Sequence, residues 1–289
     1  MTVTENAVTQ AQEIAVATQL TTEPTFNLPV LVCPTEALEV VAENMEGMGE
    51  FKFEKIKMPS GGGIAFSVFD EAGEEQPVKE LRGVLLDKYP FRSWYIKAFD
   101  EKGPDDDNVP DCFSEDNIHG SGCAEAGIPA GQLCANCPKG QWGSDRRGGK
   151  GKDCADKIRI HLLMEGEMFP KYIDTPPTSL GNFKDYVARI SNRMKPFNGV
   201  VTAIKLEKAK SGGNVDYSKM VFAKAADLTK DERVAMKEYI ATLLPSMRKI
   251  TRESIADDVV SGNGAGGQST IIDAQVAAGA EVGSDEQPY

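Results

Sequence analysis

Histidine is nearly missing from this chain of 289 residues: His119 and His161 are the only two. A catalytic zinc keeps an open position and usually draws on histidine or carboxylate ligands, so any zinc here is expected to be a closed, thiolate-bound structural one. Long apolar runs are absent as well. No stretch of about 18 apolar residues occurs, and a transmembrane helix is therefore not expected. The N-terminus has Glu5 and Glu13 but no basic region followed by an apolar one, so a secretory signal is not expected either. These absences predict a cytoplasmic protein without a membrane partner, whose six cysteines bind metal or stay reduced rather than pair as disulfides. Enzyme signatures are missing too. There is no nucleophile elbow, no His-paired cysteine, no H-E-x-x-H and no P-loop Gly-Lys-Ser/Thr. The expectation is a binding protein and not an enzyme.

The composition is that of a globular protein, 40% hydrophobic and 26% charged, with a net charge of -12. That acidity argues against indiscriminate nucleic-acid binding, but the charge is uneven. Residues 134–224 hold 17 Lys/Arg against 9 Asp/Glu, an excess of 8 cations, which leaves about -20 on the remainder. Local charge, not the total, decides where phosphates dock.

Along the chain, residues 1–26 read as a flexible arm, residues 27–250 as the core, and residues 251–289 as a disordered acidic tail. Within the core, Pro34 to Asn44 has helical spacing with Thr35 as its cap. Phe51–Ile56, Ile64–Phe69, Leu81–Leu86 and Trp94–Phe99 read as strands, with a turn at Tyr89-Pro90 between the last two. Ile158–Met164, Val200–Leu206 and Tyr217–Phe222 add further strands. A helix follows Thr175-Pro176-Pro177, and another opens on the capping box Thr229-Lys230-Asp231-Glu232 and runs to Leu244 before Pro245. The fold class this predicts is α+β: a small antiparallel sheet or OB-like barrel with flanking helices and a zinc-stabilised loop at 101–156. That loop holds five of the six cysteines and many glycines, and a structureless segment of this length needs something to tie it down.

The spacing Cys112-x21-Cys134-x2-Cys137-x16-Cys154 supplies the tie. In a C-x2-C pair two intervening residues let both sulfurs turn toward one ion. Cys154 adds a third thiolate and Cys112 a fourth, with Cys123 and His119 as competing fourth ligands in the same loop. Between Cys137 and Cys154 lies the most cationic stretch of the chain. Arg146, Arg147, Lys150 and Lys152 sit among glycines that permit close backbone approach, Lys157 and Arg159 follow, and Trp142 offers a flat face on which a base can stack. Arg92 and Trp94, in the aromatic run Tyr89–Tyr95, are a second candidate surface for unpaired bases. Asp105-Asp106-Asp107 is weighed as a divalent-cation site and read as a solvated loop. At the C-terminus, Asp285, Glu286, Pro288 and Tyr289 make an acidic Pro-aromatic tip. It resembles the partner-recruiting tails of bacterial single-stranded DNA-binding proteins.

Taken together, Pro110–Ser114, Cys134–Pro138, Gly143-Ser144, Gly149–Cys154 and Pro176–Leu180, with Val200-Val201-Thr202 and Tyr217, resemble a pattern in a group of phage and prophage proteins of DNA replication or recombination. The resemblance spans roughly residues 80–245 and favours Cys112, Cys134, Cys137 and Cys154 over Cys123 and His119. It implies location in the host cytoplasm. The function expected is sequence-independent binding of single-stranded DNA in phage replication or recombination, with structural zinc as cofactor and replication or recombination proteins as partners of the tail. The alternative is a phage protein-interaction factor that regulates a recombinase or polymerase.

Overall fold

The computed structural model describes residues 34–49, 51–59, 61–98, 101–103, 106–211 and 215–255. The expected N-terminal arm and nearly all of the expected acidic tail, including Asp285, Glu286, Pro288 and Tyr289, lie outside the described residues.

Strands β3 (Glu80–Trp94), β4 (Cys112–Ser114), β5 (Ala155–Met164), β6 (Lys171–Thr175), β7 (Val200–Lys210) and β8 (Asp216–Asp227) form one six-stranded antiparallel sheet. Its order is β6-β5-β3-β7-β8, with β4 paired to the far end of β3. A separate two-stranded ribbon joins β1 (Phe66–Phe69) to β2 (Glu75–Val78). Helices α1 (Pro34–Asn44), α2 (Pro177–Ser191) and α3 (Lys230–Met247) complete the fold.

The strands alternate, and both faces are covered. Leu81, Leu85, Ile160, Leu162, Ile173, Ile204 and Met220 pack with Phe183, Tyr186 and Ile190 of α2 and with Phe66 and Val68 of the ribbon. On the opposite face Val84, Leu86, Leu163 and Val201 meet Met236, Tyr239, Leu243 and Met247 of α3, with Leu38 of α1 at the margin. Gly83 lets the central strands approach closely. A Cβ there would stand 2.4 Å from the carbonyl oxygen of Leu163 and 2.9 Å from Leu162 Cδ1. The α+β class stands, but the OB-like barrel does not. The sheet is open, with β6 and β8 as its ends, because helices on both faces bury what barrel closure would otherwise bury.

Several element boundaries also differ from the sequence expectation. Tyr89-Pro90 is not a turn. β3 runs straight through it for 15 residues, with a register shift between Leu85 and Asp87, and stops at Trp94 where a new strand was expected to begin. Proline is tolerated because β7 pairs β3 only as far as Val84 and β4 only from Arg92, so Pro90 has a strand on one side only. Residues 51–56 contribute an isolated bridge, Lys55 to Tyr172, rather than a strand. Thr35 lies within α1 instead of capping it, and α3 continues past Pro245 to Met247. The core also extends beyond residue 250: Ile255 is buried with Ile250 and Phe91.

Candidate nucleic-acid interface and thiol clasp

Apart from β4, residues 106–154 lie off the sheet, which the chain rejoins at the start of β5. Two short 3-10 segments, Cys134–Asn136 and Pro138–Gly140, carry the C-x2-C pair. β4 opens on Cys112, and Cys154 immediately precedes β5. Backbone bonds close this unit. The Cys154 N–H donates to the Lys139 carbonyl at 2.8 Å, the Cys134 N–H to Ile118 at 2.8 Å, and the Gly120 N–H to Gln132 at 2.9 Å.

Cys112, Cys134, Cys137 and Cys154 all border one cavity of about 20 Å³, walled also by Arg92, Trp94 and Lys139. A cavity of that volume has room for about one water-sized occupant. Cys123 and His119 do not line it. Cys123 instead sits in a small turn bridged to Ile128, and the exposed His119 ring meets Asp116 through Nδ1 at 2.7 Å. Burial pushes the Cys154 thiol up, and the nearby Asp156 carboxylate adds to that. Burial also raises Cys112, partly offset because the Gly122 N–H and the Ser121 hydroxyl donate to its sulfur. Gly122 holds a φ of +83° directly against the backbone of Ala130, where a Cβ has no room. Among the described residues no three histidine, cysteine, aspartate or glutamate side chains already stand as a ligating cluster. The four thiols share a cavity without being drawn together in it.

Next to the cavity lies a hub built on Asp153, whose side chain is 5% exposed. Its Oδ2 accepts from the indole Nε1 of Trp94 at 2.7 Å and faces Lys139 Nζ at 3.3 Å, while its Oδ1 accepts from Arg146 Nε at 2.6 Å. Lys139 and Arg146 also stand over the Trp94 ring, at 5.1 Å and 5.8 Å. Arg146 further donates to the carbonyl of Ile96 at 2.6 Å.

This geometry sorts the expected strand-contacting residues. Trp94 is buried at 4% exposure, and Arg146, although partly open to solvent, is committed to Asp153 and the β3 end. Arg92 is held by Asn117 at 2.8 Å and Asp156 at 2.9 Å. Lys157 is buried. Arg159, 3% exposed, makes a two-pronged pair with Asp174 at 2.8 Å, donates to the Ser254 carbonyl at 2.6 Å, and lies over the Tyr172 ring at 4.0 Å. These five are engaged in the fold: each of the four cations has a buried place or a carboxylate partner, and Trp94 is enclosed by Asp153, Lys139 and Arg146. Trp142, by contrast, is 59% exposed, and Arg147 and Lys150 are exposed on the same loop. Lys152 stands over the Trp142 ring at 5.1 Å and is fixed by Asp156 at 2.7 Å.

Of the expected acidic triplet, Asp105 lies outside the described residues, while Asp106 pairs with Lys97 at 2.7 Å and accepts from the Gly103 N–H. The Asp153 and Asp156 hubs had no recognisable sequence signal, since lone aspartates in a basic loop read as charge balance. No helix among the described residues is long and apolar enough to cross a membrane. No protein-family model, curated protein or solved structure matches this chain.

Proposed function

We propose that the chain binds single-stranded DNA without reading its sequence, in phage replication or recombination. The observation that carries this reading is the shelf made by Trp142. A large indole is exposed on a glycine-rich cationic loop, with Lys152 over the ring and with Arg147 and Lys150 exposed on the same loop. Exposed aromatics serve every base alike, because every base has a π-face, and lysine and arginine neutralise the backbone. The resemblance of residues 80–245 to phage replication and recombination proteins supports the setting, and the acidic tip at Asp285–Tyr289 is proposed to recruit their partners. Fluorescence anisotropy at low salt is expected to show binding to labelled oligothymidine that weakens as salt rises. No binding at low salt would overturn the reading.

The same proposal assigns Cys112, Cys134, Cys137 and Cys154 to a structural zinc ion. Two features support the fit. All four sulfur-bearing residues border one atom-sized cavity, and a thiol reaches a new position by rotation about a single bond. A tetrathiolate zinc centre has a net charge of -2, and Arg92 and Lys139 supply two cations in the cavity wall. The ion would order the loop and take no part in chemistry. Elemental analysis is expected to give one zinc per chain, falling in Cys137→Ser; undiminished zinc in that variant would refute the assignment.

One observation favours the alternative of a protein-interaction factor. Ile118 and Leu133 are both exposed large apolar residues, next to the bridge between His119 and Leu133 on the clasp. A stoichiometric protein partner, captured without any affinity for oligothymidine, would establish it instead.

A further inference from the structure

A backbone outlier follows the end of α2. Met194 holds a φ of +56°, in the left-handed region that a residue with a Cβ enters only at a cost. It stands where a helix commonly ends on glycine: the Met194 N–H donates to the Ser191 carbonyl at 2.8 Å, and the Lys195 N–H reaches back to Ile190 at 3.3 Å. The Met194 residue is 94% exposed, so packing within the fold does not account for its side chain.

Cations from four parts of the chain gather at this tip. Arg193 and Lys195 flank Met194, and the 3-10 segment Phe197–Gly199 follows. Lys88 of β3 stands over the Phe197 ring at 6.0 Å, and Arg233 of α3 has its Cδ 3.2 Å from where a Cβ of Gly199 would stand. Lys195 and Lys224 of β8 share one carboxylate, Asp227, at 2.6 Å and 2.7 Å. A helix C-terminus attracts cations through its dipole, which accounts for Arg193 and Lys195 but not for Lys88, Lys224 and Arg233 on three other elements.

This tip and the Trp142 shelf lie along one strand. Lys88, Pro90 and Arg92 alternate onto one face of β3, opposite Ile160, Ile158 and Asp156 of β5. Lys88 and Pro90 are exposed. β7 stops pairing with β3 at Val84 and β4 starts at Arg92, so between them β5 is the one strand beside β3. The four residues from Lys88 to Arg92 span about 13 Å. Arg92 then meets Asp156, Asp156 meets Lys152, and Lys152 stands over the Trp142 ring.

We propose that the end of α2 is a second anchor for the strand held at Trp142, with Lys88, Arg193 and Arg233 neutralising phosphates and the Met194 thioether lying against a base. The inference rests on the strand-binding reading above and extends it from a single shelf to a path along β3.

The test is anisotropy on the full-length protein with labelled oligothymidine of about 4 and about 16 nucleotides, the range of site sizes for such grooves. The shorter strand is expected to occupy the shelf alone and the longer one to reach the α2 end. Lys88→Gln combined with Arg193→Gln is expected to weaken the longer strand by roughly tenfold and to make its salt dependence shallower by roughly 1.4 in log–log slope, about 0.7 for each phosphate contact, while the shorter strand binds as before. Met194→Gly is expected to weaken the longer strand severalfold while the melting temperature holds or rises, because glycine adopts the left-handed φ freely; a folding defect is thereby excluded as the cause. Unchanged affinity and salt slope for the longer strand in both variants overturn the proposal, as does an equal loss on both lengths. If neither length binds the unaltered protein, the strand-binding reading falls and this anchor with it.

Discussion

Trp94, in the wall of the thiol cavity, and Trp142, in the loop between Cys137 and Cys154, have opposite fates, and the difference lies in what surrounds them. Trp94 ends β3 with its indole N–H on Asp153 and two cations over its ring, whereas Trp142 has one lysine against it and is otherwise open. Truncating the open one removes a stacking surface and almost no packing. Trp142→Ala is therefore expected to weaken oligothymidine binding by roughly tenfold, within the ~1–3 kcal/mol that a stacked base contributes, and to leave the melting temperature unchanged. A loss of thermal stability in place of affinity would show that the side chain is structural. Because Trp94 is sealed, fluorescence quenching on titration with oligothymidine is expected to come from Trp142 and to vanish in the variant. The sequence shows that both residues are aromatic and near cations, but not which cations are already engaged. Arg159 and Arg92 meet Asp174 and Asp156 only once the strands have paired, and Arg146 meets Asp153 across a loop, so none of the three pairs is marked in the sequence.

Among the elements, those governed by local chemistry are the ones the sequence reveals. The box at the start of α3 is fully formed: the Thr229 N–H donates to the Glu232 carboxylate at 2.6 Å, and the Glu232 N–H donates to the Thr229 hydroxyl at 3.3 Å. Thr229→Ala removes the hydroxyl acceptor and is expected to cost about 1 kcal/mol. For a domain of this size that lowers the melting temperature by roughly 2–4 °C, readable by circular dichroism. The β5 alternation and the α2 spacing are equally local, and both elements form where expected. β3 is different. Its Tyr89-Pro90 pair is a sound turn signal in isolation, and it is overridden because β5 pairs with every residue from Asp87 to Ser93, while no second strand asks Pro90 for an N–H. The clasp residues fall between these cases. The C-x2-C pair is legible from its spacing alone, but the choice of Cys112 over Cys123 depends on β4 pairing with the end of β3, a contact distant in sequence.

At the scale of the whole molecule the helices decide the architecture. Local strand patterns are the same in an open sheet and a barrel, and only the helices packed on both faces distinguish them. The packing also sets a pH response. His161 is 2% exposed, with Nδ1 unpartnered, and burial followed by the Arg159 charge lowers its pKa to about 4. The folded state thus keeps the imidazole neutral at pH values where the unfolded chain, titrating near 6.5, takes up a proton. The unfolded state binds more protons between those values, so stability falls as pH is lowered from about 6.5 to about 4, by roughly 3 kcal/mol in all. Urea denaturation across that range is expected to show the slope, and His161→Leu to flatten the part due to this group; an unchanged slope in the variant would assign it elsewhere. The placement of β3 bears on the portability of the clasp. Two of the residues that wall the thiol cavity, Arg92 and Trp94, belong to the sheet and not to the loop. The segment 101–156 is consequently no cassette: grafted onto another scaffold it would carry its cysteines but leave behind one side of their enclosure.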